Sequence, residues 1–194
     1  NKLVSAVEEE RLSREKRTRR FPLKAINFCL KQAKLKYEDL SAIAISWNPA
    51  INLEHFNPSM SQHSGYFPSM LHSNLNYIIK ELGSENLNKD YFQQKLILKK
   101  NKKIDIYFVN HHLSHASNYF LSPFKNASIL TLDGFGENEC MSFYSGNGSK
   151  LKKILSQNFP HSLGSFFSTF TEFCGFKPQS EEWKLMGASA YGQN

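Results

Sequence analysis

Cysteine is scarce in this chain: Cys29, Cys140 and Cys174 are scattered through 194 residues, odd in number and without CxxC spacing. A disulfide framework is therefore not expected, and a reducing, cytoplasmic compartment is the simplest inference. Long apolar runs are also missing. No stretch approaches the roughly eighteen residues a membrane-crossing helix needs, and no signal-peptide pattern is present, so no membrane partner is expected. Acid is in deficit, with 17 Asp and Glu against 24 Lys and Arg and a net charge of +7. That balance suits an anionic small molecule or a nucleic acid and does not by itself separate them. An initiating methionine is absent and the chain starts in what reads as mid-domain, so a fragment is expected. What is present is ample for a core: 40% apolar residues and 16 Phe, in a length that fits one domain or two small ones.

The stretch Val109-Asn110-His111-His112-Leu113-Ser114-His115 organises the rest. The apolar run Ile104–Val109 leads into it and reads as a buried strand. Asn110 stands where a helix N-cap is wanted. Leu113, Ala116, Tyr119 and Phe120 then form one apolar stripe at helical spacing, and Pro123 closes the segment. On that helix His111 and His115 stack within about 40° of each other, roughly 130° from the middle of the stripe. His112 points into the stripe, as a core histidine would. Two imidazoles at i and i+4 on a polar face can each give a nitrogen to one metal ion, or they can be surface histidines. A carboxylate is the usual third ligand. Asp133 is the candidate, placed at the end of the strand Ala127–Leu132 and followed by Gly134, Phe135 and Gly136, although an Asp-Gly turn explains the same spacing.

Around this centre the elements alternate. Lys2–Val7 reads as a strand running into Glu8-Glu9-Glu10, then a basic block of Arg11, Arg14, Lys16, Arg17, Arg19 and Arg20. That block is either a solvated loop or a loop whose cations meet phosphate. Pro22 fits the first turn of an amphipathic helix carrying Ile26, Cys29, Leu30 and Ala33, and Leu40–Ser46 follows as a short strand. Strand, helix, strand implies a mainly parallel sheet with helices packed on it. Trp47–Ser69 is irregular, a long insertion and a candidate homodimer contact. Leu71–Leu82 reads as a helix, and a third helix is expected near Leu87–Leu98. After Asp133 the pattern becomes an antiparallel meander, Ala127–Leu132, Cys140–Ser145 and Leu151–Gln157, with Gly146-Asn147-Gly148 joining the last two. Ser162 caps a helix with Leu163, Phe166, Phe167, Phe170 and Phe173 on one face, ended by Gly175. Residues 181–192 read as a loop.

Four stretches, in order across nearly the whole chain, resemble the NodU/CmcH-type O-carbamoyltransferases. They are Glu8–Arg14 through Phe21-Pro22, Asn110–Ala116, Leu130–Glu137, and Lys184–Gly187 with Tyr191-Gly192. The resemblance implies an α/β, ribonuclease H-like or actin-like (ASKHA) duplicated domain, incomplete at both ends. Residues 1–125 would be a first subdomain lacking its first strand, with an insertion at about 47–100, and 126–194 the start of a second. It implies transfer of a carbamoyl group from carbamoyl phosphate, through an ATP-derived carbamoyl-adenylate, to a hydroxyl of a small-molecule acceptor. A YrdC-like C-terminal half, absent here, would form the adenylate. His111, His115 and Asp133 would hold a divalent metal, iron by resemblance. Lys16, Gly134, Gly136 and Gly187 would meet nucleotide or phosphate. The family's His-Asp-Ser turn, a source of catalytic groups, would precede Asn1, so the chain alone is expected to be inactive. The family's Gly-Leu-Ala-Pro-Tyr-Gly is here Gly187-Ala188-Ser189-Ala190-Tyr191-Gly192. Two alternatives share the fold: a tRNA threonylcarbamoyl-transfer-like protein, and a non-catalytic fragment. The basic runs lack interleaved aromatics, so nucleic acid is not the expected partner.

Overall fold

A computed structural model describes residues 2–16, 18, 21–46, 91–97 and 101–192. The expected insertion at Trp47–Ser69 and helix at Leu71–Leu82 lie outside the described residues, and elements are numbered over the described ones. The chain divides into two compact units, residues 1–110 and 111–194, both mixing or pairing helices with sheet. No helix among the described residues is long and apolar enough to cross a membrane.

In the first unit, α1 (Glu9–Ser13) and α2 (Leu23–Ala33) are joined by one strong contact: the Glu9 carboxylate accepts the Ala25 backbone N–H at 2.7 Å. A carboxylate at a helix start satisfies an orphan donor and sits at the positive end of the peptide dipoles. Pro22 is the residue before α2 rather than its first turn. The basic block therefore leaves α1 through Arg14, in a left-handed conformation at φ 63°. Three strands follow: β1 (Ala42–Ile45), β2 (Tyr91–Ile97) and β3 (Lys103–Val109), in the order β1-β3-β2. β1 runs parallel to β3 and β2 antiparallel to it, so the sheet is mixed. Ile104 and Phe108 are its buried side chains on β3.

Two expectations fail here. Lys2–Val7 forms no strand, because an apolar stretch becomes one only with a ladder partner, and none pairs with it among the described residues. The helix expected near 87–98 is β2 instead. Its pairing with β3, and the diagonal ring contact of Tyr91 with Tyr107 at 5.8 Å, override the helix-forming Gln93-Gln94-Lys95 at its middle.

The second unit opens with the short helix α3 (His111–Ala116), which tightens into a 3-10 turn over Ser117–Leu121. The meander follows as β4 (Asn126–Gly136), β5 (Glu139–Asn147) and β6 (Lys150–Asn158), in sheet order β4-β5-β6. The expected Asn147-Gly148 hairpin turn is there, with Gly148 at φ 57°. Asp133 does not end its strand. β4 runs on to Gly136 through an irregular register after Leu132, and the turn is made by Glu137 at φ 63° and Asn138. The reason is the β5 ladder, which resumes at Gly136↔Glu139 and keeps the Asp-Gly pair in the strand.

Helix α4 (Leu163–Phe173) begins at Ser162, whose Oγ accepts the Ser165 N–H. Its aromatic face does not pack inward: Phe166 and Phe173 are 60% and 84% exposed, while Thr171 is buried. The helix approaches β4 through its small residues because Ser162 Oγ donates to the Gly134 carbonyl at 2.5 Å and Gly164 lies against Asp133-Gly134. The expected loop at 181–192 is α5 (Glu182–Ala188) plus a 3-10 turn, Ser189–Tyr191. Glu182 accepts from Ser168 Oγ and from the Gln179 N–H, which ties α5 to α4 and stabilises its start despite Gly187.

Ser162 thus caps α4 and anchors it to β4 in one side chain. Replacing it with alanine is expected to destabilise the protein by about 1–2 kcal/mol, read as a lower urea midpoint at unchanged slope.

Candidate metal centre

His111 and His115 lie one helical turn apart on α3, and Asp133 lies on the strand α3 packs against. The three side chains converge. His111 Nε2 is 2.8 Å from Asp133 Oδ2, His115 Nε2 is 3.5 Å from the same oxygen, and the two imidazole nitrogens are 3.0 Å apart. A divalent cation at the centre would be met by all three ligand atoms at once. Ligands bound at about 2.0–2.2 Å and roughly at right angles lie about 3 Å from one another, which is the spacing seen. Two imidazoles and a carboxylate on one side of an ion, with the other side open, is a donor set that iron(II) and other divalent metals accept.

Charge agrees with geometry. Burial would raise the Asp133 carboxyl, but the His111 hydrogen bond, the Gly134 N–H and the imidazoles outweigh it and hold the group below its ordinary range. Asp133 Oδ1 accepts that N–H at 2.7 Å, which turns Oδ2 toward the histidines. The carboxylate is thus held ionised and aimed at the histidines. Cys140 is buried nearby, where burial pushes its thiol up despite the Ser162 hydroxyl, and it is not among the three residues whose ligand atoms converge.

His112 is a fully buried core histidine, as expected from its place in the stripe. Its Nε2 lies 2.9 Å from the Glu139 carbonyl and its Nδ1 2.8 Å from Thr131 Oγ1. Burial lowers its pKa against the opposing pull of Glu139. The Glu139 carbonyl can only accept, so Nε2–H donates to it, while Nδ1 faces Thr131 Oγ1.

Each remaining expected residue has its own place. Gly134 is open: a Cβ there would meet nothing within 4 Å, so its backbone borders free space beside Asp133. Gly136 is closed: a Cβ would lie 2.1 Å from His111 Cδ2, so the glycine makes room for the ligand ring. Lys16 is exposed in the first unit, and Gly187 is exposed on α5 in the second. Two residues escaped the sequence reading. Gly164 lets α4 touch Asp133-Gly134, where a Cβ would come within 2.7 Å of the Gly134 backbone. Thr131 receives His112. Strand alternation from Asp133 would have placed Thr131 on the same face, and a glycine two residues past a helix cap would have flagged a close approach.

The Gly136→Ala variant is expected to push the His111 ring off its position. Overpacking of this kind costs about 1–3 kcal/mol, and titration of divalent cobalt into the variant should show weaker binding than into the wild type.

Residues 1–194 match the family described as carbamoyltransferase N-terminus. Protein sll1178 of Synechocystis sp., described as uncharacterized, is 34% identical over 206 residues, covering 98% of this chain and 31% of its own length. Nodulation protein NolNO of Sinorhizobium fredii is 29% identical over 98% of this chain and 26% of its own length. Protein MJ1051 of Methanocaldococcus jannaschii, also described as uncharacterized, is 28% identical over 98% of this chain and 30% of its own length. The chain thus spans less than a third of each of these relatives, and matched over its full length it belongs to the carbamoyltransferase N-terminus family.

Proposed function

We propose that this chain is the metal- and nucleotide-binding part of an O-carbamoyltransferase. The reaction is transfer of a carbamoyl group from carbamoyl phosphate, by way of an ATP-derived carbamoyl-adenylate, to a hydroxyl of a small-molecule acceptor. In the transfer step the acceptor oxygen forms a bond to the carbamoyl carbon, the bond to the adenylate oxygen breaks, AMP leaves, and the hydroxyl proton passes to a base. Family membership supports carbamoyl transfer as the reaction class. The observation that carries the site is the convergence of His111, His115 and Asp133, whose ligand atoms all lie within 4.8 Å of one another.

A bound divalent metal, iron(II) on the family resemblance, would supply Lewis acidity toward a phosphate or carbamoyl oxygen. His111 and His115 would hold it through Nε2, and Asp133 through Oδ2. Gly134, with open space where a side chain would stand, would leave room for a phosphate beside Asp133 while its own N–H holds Asp133 Oδ1, and Gly136 would keep the His111 ring seated. Lys16 and Gly187 would add phosphate contacts. The catalytic base and the YrdC-like half that forms the adenylate would come from other parts of the protein. The two units are read as ASKHA-like subdomains; the parallel β1–β3 pair and the β4–β6 meander followed by α4 support that assignment. A cytoplasmic location and a homodimer go with this reading.

In the intact protein, His111→Ala, His115→Ala and Asp133→Ala should each abolish stoichiometric metal retention after dialysis, measured by elemental analysis. Acceptor-dependent AMP release from ATP and carbamoyl phosphate should fall about 100-fold or more, the scale on which lost electrostatic stabilisation of a transition state registers. Full AMP release from metal-depleted Asp133→Ala protein would refute the proposal.

A further inference from the structure

We infer that His112, held between Thr131 and Glu139, is a positioning residue that sets where the two metal-ligating imidazoles stand. This rests on the metal reading of His111, His115 and Asp133. Helix α3 has only six residues, too few to hold its own shape or orientation in water. Its C-terminal end is fixed by Ala116 and by Tyr119, whose hydroxyl donates to the Lys125 carbonyl at 2.5 Å and whose ring lies over Gly146. Its N-terminal end, where the first ligand stands, is fixed through His112.

That imidazole is bonded at both nitrogens, one to a side chain on β4 and one to a backbone carbonyl on β5. Two bonds in one ring plane define both the depth and the rotation of the helix against the sheet, which an apolar side chain in the same hole would leave free. The direction of His111 follows, since adjacent residues on a helix are separated by a fixed angle of about 100°. The partner side is registered too. Thr131 and Asp133 are two apart on β4, so His112's acceptor and the ligand carboxylate belong to the same strand segment.

The receptor is itself braced. Thr131 Oγ1 lies 3.1 Å from the Ser142 carbonyl, Ser142 Oγ donates to Glu139 Oε2 at 2.6 Å, and Lys153 Nζ meets Glu139 Oε1 at 2.6 Å. His112, Thr131 and Ser142 are all buried, and the path closes on the residue whose carbonyl receives His112. A closed, buried polar network of this kind selects one arrangement over near neighbours. The arrangement selected puts His111 Nε2 and Asp133 Oδ2 in contact.

The test is cobalt(II) binding to the metal-depleted intact protein, followed by its visible d–d absorption, for wild type, His112→Phe and Thr131→Val. His112→Phe keeps the ring and deletes both bonds; Thr131→Val removes the Nδ1 bond from the opposite side, together with the Thr131–Ser142 bond, with little change of shape. Both variants should bind about 10–100-fold more weakly, the usual range for outer-shell partners of a metal site, with a displaced d–d band. Thermal unfolding of the metal-free proteins separates this from a purely structural role, which would lower the melting temperature and leave affinity and spectrum of the folded protein unchanged. Should His112→Phe fail to fold, Thr131→Val decides. Wild-type affinity and band in the folded variants overturn the inference while leaving the metal site standing. A wild type that binds no cobalt overturns the metal reading, and this inference with it.

Discussion

The second unit depends on how closely a six-residue helix is brought to one strand. Helix α3 carries both imidazoles and β4 carries the carboxylate, so the site exists only at the contact between them. That contact is made without a side chain at Gly136, where a Cβ would stand inside the His111 ring, and with a buried histidine as the polar key. Hydrophobic packing supplies the other end, at Ala116 and Tyr119. Apolar contact holds elements together but tolerates small rotations, whereas paired hydrogen bonds to one ring do not. A site needing three ligand atoms within about 0.5 Å of their productive places needs the second kind of contact.

The same strand segment is approached from a second direction. Helix α4 presents Ser162 and Gly164 to Asp133 and Gly134, with Ser162 donating to backbone carbonyls there. β4 is therefore clasped near the ligand carboxylate by α3 through side chains and by α4 through backbone proximity. Asp133 closes the arrangement locally by accepting its neighbour's N–H, leaving one oxygen for the histidines. A carboxylate so constrained needs little reorganisation to bind a cation, and its ionised form is already favoured.

Much of the organisation was legible before any coordinates. The hairpin at Asn147-Gly148, the Ser162 cap, α2 and the central strand β3 each follow from local chemistry: a left-handed turn needs glycine, a helix start needs an acceptor, and apolar periodicity needs a face to bury. The failures share one cause. Residues 2–7 and 91–97 were assigned by propensity, yet strand formation is settled by whether a distant segment offers a ladder, and β3 offered one only to the latter. The mixture of charge, sulfur and glycine over 181–192 reads as a loop, while Glu182 reaching Ser168 on α4 makes a helix of its middle.

The i, i+4 spacing of His111 and His115 put two imidazoles on one helix face, and the buried place of His112 followed from the same periodicity, because helical geometry is local and periodic. Whether Asp133 would join them was not decided by spacing. An Asp-Gly pair serves a turn as readily as a site, and only the β5 ladder kept it in the strand and moved the turn to Glu137-Asn138. The same holds for Gly136 and Gly164, whose missing side chains matter through what lies opposite them. A residue's conformational range belongs to its own chemistry and can be read in one dimension; the neighbour it must admit is fixed only when distant segments pack together.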